Sequence, residues 1–131
     1  MSAAFHRRLE AVLEYVYAAD WPAHVWGLWP PASRVQRLEY EMAAPGGRGA
    51  RPPLRVAFLS DIHIGPTTPS SLLDAAFAEV RAMRADAVVL GGDYVYLAAN
   101  EKRMAELRDR VASLDVPTKV CLLYTSDAAD E

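Results

Sequence analysis

Two short motifs combine acidic, histidine and glycine residues in a pattern suited to binding a metal ion. Asp61 and His63 lie in the segment 60–65 (Ser-Asp-Ile-His-Ile-Gly), and Asp93 directly follows Gly91-Gly92. Two carboxylates and an imidazole directed at one point repel each other and lose hydration unless a cation lies between them. We therefore interpret Asp61, His63 and Asp93 as metal ligands.

The residue types narrow the choice of metal. Oxygen and nitrogen donors without thiolates suit manganese, iron, zinc or magnesium. Pairs of such ions about 3.5 to 4 Å apart are a common device for phosphoryl hydrolysis, and a carboxylate between them can bridge both. The glycines Gly65, Gly91 and Gly92 would let the backbone turn sharply and approach a ligand closely.

Each motif also has a purely structural interpretation. Asp61 and His63 could form a turn that hydrogen-bonds its own backbone, and Gly92-Asp93 could be a simple strand exit. The occurrence of both motifs directly after apolar strands favours the metal site. Tyr94 is expected to pack beside the site, whereas His6 and His24 lie outside the pattern and are interpreted as surface or packing residues.

The elements around the motifs indicate how the ligands would meet. Residues 54–59 and 87–90 are short apolar runs typical of strands covered on both faces, and a capping box at 71–74 starts a helix that reaches about Arg84. A strand-helix-strand unit of this length makes the strands parallel neighbours about 4.8 Å apart. Both motifs then lie at carboxyl ends of strands, the edge where open parallel sheets bind ligands.

The pattern continues with a second crossover. Asn100 can cap a helix that ends before Pro117, and residues 118–120 open a third strand. The inner face of this helix is predicted to contain Met104, Leu107, Val111 and Leu114, and its solvent face Glu101, Lys102, Arg103, Arg108 and Asp109. The alternation of strands and helices predicts an α/β fold with a parallel sheet.

The N-terminal third has a different organisation. Residues 3–19 have the apolar spacing of an amphipathic helix, and Trp21, Trp26 and Trp29 follow in a proline-rich segment that we interpret as a packed loop or an interfacial anchor. Residues 34–42 alternate like a half-buried strand, and the glycines and prolines of 44–53 predict a flexible connection.

Composition indicates an ordinary globular protein. The 131 residues are 52% hydrophobic and 24% charged, and the net charge of −3 provides no basic surface for a nucleic-acid partner. Glu10 and Glu14 interrupt the first apolar stretch, so neither a signal peptide nor a spanning helix is expected. Because the single cysteine, Cys121, cannot form an internal disulfide, the default expectation is a cytoplasmic protein.

Residues 54–120 resemble the calcineurin-like metallophosphoesterases. Asp61-Ile62-His63 with Gly65, and Gly92-Asp93 after an apolar strand, look like the first two signature blocks of that family. The resemblance implies an α/β/β/α sandwich with a centre of two divalent ions, manganese, iron or zinc. It implies that Asp61 and His63 hold the first ion, that Asp93 bridges both, and that a metal-bound hydroxide attacks a phosphoester, most simply a phosphodiester.

A weaker resemblance concerns the N-terminal helix and the alternating strand. They are similar to a bacterial branch of the family that acts near membranes on lipid-linked or sugar-nucleotide phosphodiesters. This similarity implies a small-molecule or lipid-linked phosphoester substrate. It also makes a peripheral contact of Trp21, Trp26 and Trp29 with the inner membrane face an expectation to test.

The C-terminal third departs from the family pattern. No Gly-Asn-His block follows the third strand, and no histidine occurs after Asp93, so no further catalytic residue is identified. Residues 121–131 resemble the in-frame translation of a transposon adapter used in sequencing libraries. We therefore divide the chain into an N-terminal segment 1–33, a truncated phosphoesterase domain 34–120 and a non-native tail 121–131, and we expect this fragment to be inactive, poorly stable and prone to aggregate.

Two other functions remain open at this point. A non-catalytic scaffold could use the same fold for protein contacts, although intact Asp61, His63 and Asp93 argue against it. A lone nucleotide-binding domain would require a Gly-x-Gly-x-x-Gly or Walker pattern after the first strand, and the chain has neither.

Overall fold

A small parallel sheet is the centre of the fold. The computed structural model describes residues 3–43, 52–97 and 99–121. Its strands are β1 (Val56–Leu59), β2 (Ala87–Leu90) and β3 (Thr118–Cys121), in the order β1-β2-β3. Both pairings are parallel, with Val56 beside Ala87 and Ala87 beside Thr118. The predicted α/β class with a parallel sheet is confirmed.

Two helices cross from strand to strand and cover the same face of the sheet. They are α3 (Ser70–Ala82), between β1 and β2, and α4 (Glu101–Ala112), between β2 and β3. Consecutive right-handed crossovers in one direction place both helices on one side. The buried core between them and the sheet consists of Ala57, Ile62, Ile64, Leu73, Phe77, Val80, Ala85, Val88, Leu90, Leu107 and Leu114.

The opposite face of the sheet is open, which corrects the expectation that β1 is covered on both faces. Val56 is 47% exposed and Phe58 is 66% exposed, whereas Ala57 between them is 1% exposed. Val120 is also exposed on the open face, in register with Phe58 and Val89. A continuous apolar run indicates that both faces of a strand are apolar. It does not show whether the chain contains a second layer that covers the outer face of the sheet.

The N-terminal third is helical over a longer range than predicted. Helix α1 (Ala3–Val16) ends before residue 19, and a 3-10 helix (Ala18–Asp20) follows it. The tryptophan segment is not a loop, because Trp21–Gly27 forms helix α2 with Pro22 in its first turn, and Pro30–Ser33 forms a second 3-10 helix. Proline fits the first turn of a helix because the amide hydrogen it lacks has no partner there.

The predicted strand at 34–42 is absent from the described structure. Residues 34–43 have no assigned helix or strand, and Leu38, Tyr40 and Met42 are 63%, 81% and 90% exposed. Alternation makes an extended segment suitable for a sheet, but a strand requires a neighbouring strand with which to exchange hydrogen bonds. The predicted connection at 44–53 falls mostly outside the described residues, as does the predicted tail after Cys121, which itself ends β3.

The helix starts were predicted with mixed success. Asn100 caps α4 as predicted, since its side chain accepts a hydrogen bond of 3.0 Å from the amide of Arg103. The capping box at 71–74 is wrong: α3 begins at Ser70 after Pro69, without a side-chain cap. The prediction of a solvent-exposed Arg103 is also wrong, because this residue is 5% exposed.

Arg103 is buried because it joins the N-terminal helices to α4. Its guanidinium donates to Glu14 at 2.6 Å and to Asp20 at 3.4 Å, and Lys102 donates to Asp20 at 2.9 Å. Helical spacing predicted that Arg103 lies on the outer face of α4 beside other charged residues. The sequence contains no sign that two acidic groups more than 80 residues away would cover it.

Within residues 3–43, 52–97 and 99–121, no helix combines the length and apolarity needed to cross a bilayer.

Candidate metal centre

The loops that follow β1 and β2 run side by side beyond the ends of the strands. The amide of Asp61 donates to Gly92 O at 3.3 Å, that of His63 to Asp93 O at 3.0 Å and that of Ile64 to Tyr94 O at 2.8 Å. An isolated parallel bridge between Ile64 and Val95 continues the pairing. The parallel sheet thus extends as a hydrogen-bonded pair of loops, and this pairing sets the relative position of the motifs.

The side chains of Asp61, His63 and Asp93 converge at this edge. One ligand atom from each lies within 4.8 Å of the other two, and His63 Nε2 is 3.9 Å from Asp61 Oδ1. Among the residues that the structure describes, no other set of three histidine, cysteine, aspartate or glutamate side chains is grouped in this way. The structure therefore brings together the three residues that the sequence predicts as ligands.

The donor set and its spacing fit a divalent cation. Carboxylate oxygens and imidazole nitrogens bind such ions at about 2.0 to 2.2 Å, so donors on opposite sides of one ion are roughly 4.2 Å apart. The observed spread of up to 4.8 Å requires side-chain movements of less than about 1 Å. Those movements are available, because the side chains of Asp61 and His63 are 70% and 44% exposed.

All three candidate ligands have an unusual backbone conformation. The φ angles of Asp61, His63 and Asp93 are 55°, 47° and 48°, in the left-handed region. Few residues other than glycine adopt it, although aspartate and histidine tolerate it better than most. Each such residue costs about 1 kcal/mol or more, and this kind of strain is concentrated at functional sites. The hydrogen bonds between the two loops hold the three residues in place.

Three further residues support the candidate ligands. Ser60 Oγ donates to Asp61 Oδ2 at 2.7 Å, and Thr68 Oγ1 donates to the carbonyl oxygen of His63 at 2.7 Å. The ring of Tyr96 lies nearly parallel to the imidazole of His63, with the centroids 6.0 Å apart. Sequence reasoning missed these residues. Ser60 is the first residue of the motif at 60–65 and could have been found, whereas Thr68 and Tyr96 have no motif of their own.

The glycines beside the ligands occupy positions where a side chain would clash or strain the backbone. A Cβ on Gly65 would lie 2.9 Å from Tyr96 O, and a Cβ on Gly91 would lie 2.6 Å from the ring of Phe58. Gly92 has a φ of 107°, which L residues rarely adopt. Glycine therefore fits each of these three positions without a clash or backbone strain.

The remaining residues singled out from the sequence lie outside the group of ligands. Tyr94 is half-buried against the core and donates its hydroxyl to Leu90 O at 2.9 Å. His24 is exposed, with Nδ1 2.9 Å from Asp20 O. Trp21, Trp26 and Trp29 are each slightly more than half exposed, which differs from a packed role.

Shifted pKa values occur among the ion pairs that α4 forms with the N-terminal segment and with α3. Burial alone would raise the pKa of Asp20, but the hydrogen bonds and positive charges of Lys102 and Arg103 outweigh it, and the pKa lies below its ordinary 3.8. Burial would lower the pKa of Arg103, yet Glu14 and Asp20 raise it. Arg110 behaves in the same way beside Asp74 and Glu106. These groups remain charged and serve as structural ion pairs.

The comparisons with known proteins add no assignment. No protein-family model matches the chain, and neither the curated proteins nor the solved structures give a match. The interpretation of the site therefore depends on its geometry and on the chemistry of its residues.

Proposed function

We propose that Asp61, His63 and Asp93 bind a divalent cation and form the first part of a two-metal phosphoesterase centre. The observation that supports this proposal is the convergence of two carboxylates and an imidazole, within 4.8 Å, at the carboxyl edge of a parallel sheet. Such an arrangement of like charges is expected where a cation compensates them. Manganese, iron or zinc suits the donors.

Each residue has a distinct proposed role. Asp61 and His63 would hold the first ion, and Asp93, on the neighbouring loop, would bridge to a second one. Ser60 and Thr68 would orient the first pair through their hydrogen bonds to the Asp61 carboxylate and the His63 carbonyl. The exposed position of Asp61 and Asp93 leaves room for a phosphoester to approach. When bound, the metal would stabilise negative charge on the phosphate oxygens.

The proposed hydrolase is a longer protein than this chain. Two ions need more ligands than three side chains supply, and no histidine follows Asp93 in the sequence. The open face formed by Val56, Phe58 and Val120 would receive the second sheet of an α/β/β/α sandwich. We accordingly propose that the chain by itself binds a cation but does not hydrolyse phosphodiesters.

A pair of matched variants in the longer protein tests this function. Extension of the reading frame beyond Val120, from the source DNA, should encode a Gly-Asn-His block and yield a protein that hydrolyses a chromogenic phosphodiester with Mn²⁺. Asp93→Asn should reduce kcat by about 100-fold or more, since it removes a proposed bridging charge. Asp109→Asn, which alters an exposed aspartate on α4, should leave kcat unchanged. Full activity of Asp93→Asn would exclude the bridging role.

A further inference from the structure

The loop that carries His63 (residues 63–69, the His63 loop) folds back on itself. Thr68 Oγ1 donates to the carbonyl oxygen of His63 at 2.7 Å, and the amide of Thr68 donates to Gly65 O at 3.3 Å. Pro66, between these contacts, is less than 2% exposed. The backbone position of His63 therefore depends on the rest of its loop as well as on the pairing with the loop beyond β2.

Helix α2 contacts this loop on both sides of Thr68. The amide of Ala23 donates to Pro66 O at 2.7 Å, and Ala23 is 8% exposed. The amides of the first helical turn have no partner within the helix, so this one is available to the loop. About one turn later, a Cβ added to Gly27 would lie 3.4 Å from Cβ of Pro69. The backbone of α2 thus lies directly against the His63 loop.

The start of α2 is held in turn by α4. Asp20 directly precedes the helix, and its carboxylate accepts from Lys102 at 2.9 Å and from Arg103 at 3.4 Å. Glu14 accepts from the same guanidinium at 2.6 Å, and the side chain of Arg103 is 6% exposed. Separation of a buried charge from its partners is costly, so these ion pairs fix where α2 begins relative to α4.

We propose that α2 is a positioning element for the candidate metal centre, because it fixes the loop that presents His63. The ion pairs of Asp20 hold α2 against α4, and Ala23 holds Pro66 in the loop. The imidazole itself is 44% exposed, so the position of its backbone decides where it lies. The part of this inference that concerns a bound ion rests on the proposed function, whereas the part that concerns the loop does not.

Hydrogen exchange of the full chain tests whether α2 fixes the loop. Glu14→Gln with Asp20→Asn removes two carboxylates from Arg103 at nearly constant side-chain size, and asparagine tolerates the φ of 54° at residue 20. We expect the amides of His63 and Ile64 to exchange about tenfold faster, because their hydrogen bonds to the neighbouring loop would open more often. The amides of strand β2 should change by a smaller factor.

A second pair of substitutions controls for the loss of charge. Glu101→Gln with Asp74→Asn also replaces one glutamate and one aspartate that form ion pairs. Their partners, Arg108 and Arg110, both lie on α4. Neither ion pair includes a residue of α2 or of the His63 loop, so the exchange of the His63 amide should stay unchanged.

Single substitutions keep the test decisive if the double variant does not fold. Asp20→Asn alone leaves the pair between Glu14 and Arg103 intact and should accelerate exchange at His63 by a smaller factor. Thr68→Val removes the hydroxyl that donates to His63 O without a change of shape, and should accelerate exchange at His63 as well. Thr68→Ser keeps a donor and should restore the slow rate.

The affinity for Mn²⁺, counted by electron paramagnetic resonance, tests the effect on the metal centre. Glu14→Gln with Asp20→Asn should weaken binding by about fivefold or more, the size of an ordinary coupling between two sites. Glu101→Gln with Asp74→Asn makes the same change in net charge and should leave the affinity unchanged. If the unchanged chain binds no Mn²⁺, the proposed metal centre fails, and hydrogen exchange still decides whether α2 fixes the loop.

Four results would overturn the positioning role of α2. The first is unchanged exchange at His63 and Ile64 in the variant of Glu14 and Asp20. The second is equal acceleration by both pairs of substitutions. The third is acceleration of the β2 amides by the same factor, since the ion pairs would then stabilise only the domain as a whole. The fourth is an unaltered Mn²⁺ affinity despite faster exchange of the loop.

Discussion

At the scale of single residues, the three candidate ligands share an unusual backbone conformation. Asp61, His63 and Asp93 all have φ near 50°. This conformation is unfavourable for residues with a Cβ, and a stable domain keeps it only where neighbouring contacts impose it. The contacts here are backbone hydrogen bonds between the two loops, such as that from His63 to Asp93 O at 3.0 Å. These hydrogen bonds set the backbone positions of the three residues.

Two substitutions at Asp93 distinguish the effect of backbone strain on stability from the effect of losing the carboxylate charge. Asp93→Gly and Asp93→Ala both remove the carboxylate, but only glycine adopts a φ of 48° without steric cost. The glycine variant should therefore be more stable than the alanine variant by about 1 kcal/mol in urea unfolding. Equal stabilities, or a more stable alanine variant, would show that the backbone at this position is not strained.

The convergence of the three candidate ligands was predictable from the sequence, but the contacts that support them were not. Asp61, His63 and Asp93 stand out because acidic and imidazole groups follow two apolar strands at the spacing of one crossover. Thr68 and Tyr96 approach His63 only after the loop beyond β1 folds back, with the amide of Tyr96 donating to Ile64 O at 3.1 Å. Such contacts depend on loop conformation, which periodicity does not encode.

At the scale of elements, α4 joins the N-terminal helices to the domain. This role is not evident from the many charged residues in its sequence. Arg103 lies between Glu14 and Asp20 and is 5% exposed, whereas Arg108 on the same helix pairs with Glu101 in solvent. Removal of one partner from a buried ion pair leaves the other charges uncompensated, which is far more costly than loss of an exposed pair.

Alanine substitutions at these two arginines should reveal the difference. Arg103→Ala should reduce the free energy of unfolding by about 3 kcal/mol. Arg108→Ala should reduce it by less than roughly 1 kcal/mol. Urea denaturation followed by circular dichroism gives both values, and tryptophan emission reports whether the N-terminal helices detach first. Comparable small losses in the two variants would contradict a joining role for Arg103.

The same cluster predicts a dependence of stability on pH. The pKa of Asp20 is below its ordinary 3.8 in the folded chain, so its carboxylate contributes stability that is present above that value and is lost as the pH falls through the lowered pKa. The unfolding free energy should decrease between about pH 5 and about pH 2, and less steeply in Asp20→Asn. Identical pH profiles in the two proteins would rule out this contribution of Asp20.

Sequence patterns predicted the elements well where local pattern and packing agree. Strand β2, the cap at Asn100 and a helix in the region of α3 were predicted, since each depends on nearby residues and on one covered face. The strand at 34–42 was wrong because its apolar alternation has no neighbouring strand in the described structure. The helix at Trp21–Gly27 was missed because its proline-rich sequence was interpreted as a loop, whereas Pro22 lies in the first turn of the helix.

At the scale of the whole molecule, the chain has a covered and an uncovered side. Helices α3 and α4 cover one face of the sheet, and Val56, Phe58 and Val120 are exposed on the other. In the described structure, β1 and β3 are also edge strands without a further partner. Exposed edges and an apolar face favour association between chains, so low stability and aggregation remain our expectation for this chain. The open face of the sheet is flat and built from strands, and we propose a second sheet as its cover.

Binding of Mn²⁺ to the purified chain tests the candidate metal centre most directly. Electron paramagnetic resonance counts free Mn²⁺ during a titration, so it measures affinity without any need for activity. We expect one saturable site per chain, weakened at least about tenfold by each of Asp61→Asn, His63→Ala and Asp93→Asn and unchanged by Asp109→Asn. The absence of saturable binding, or equal binding by all four variants, would contradict a metal site at the edge of the sheet.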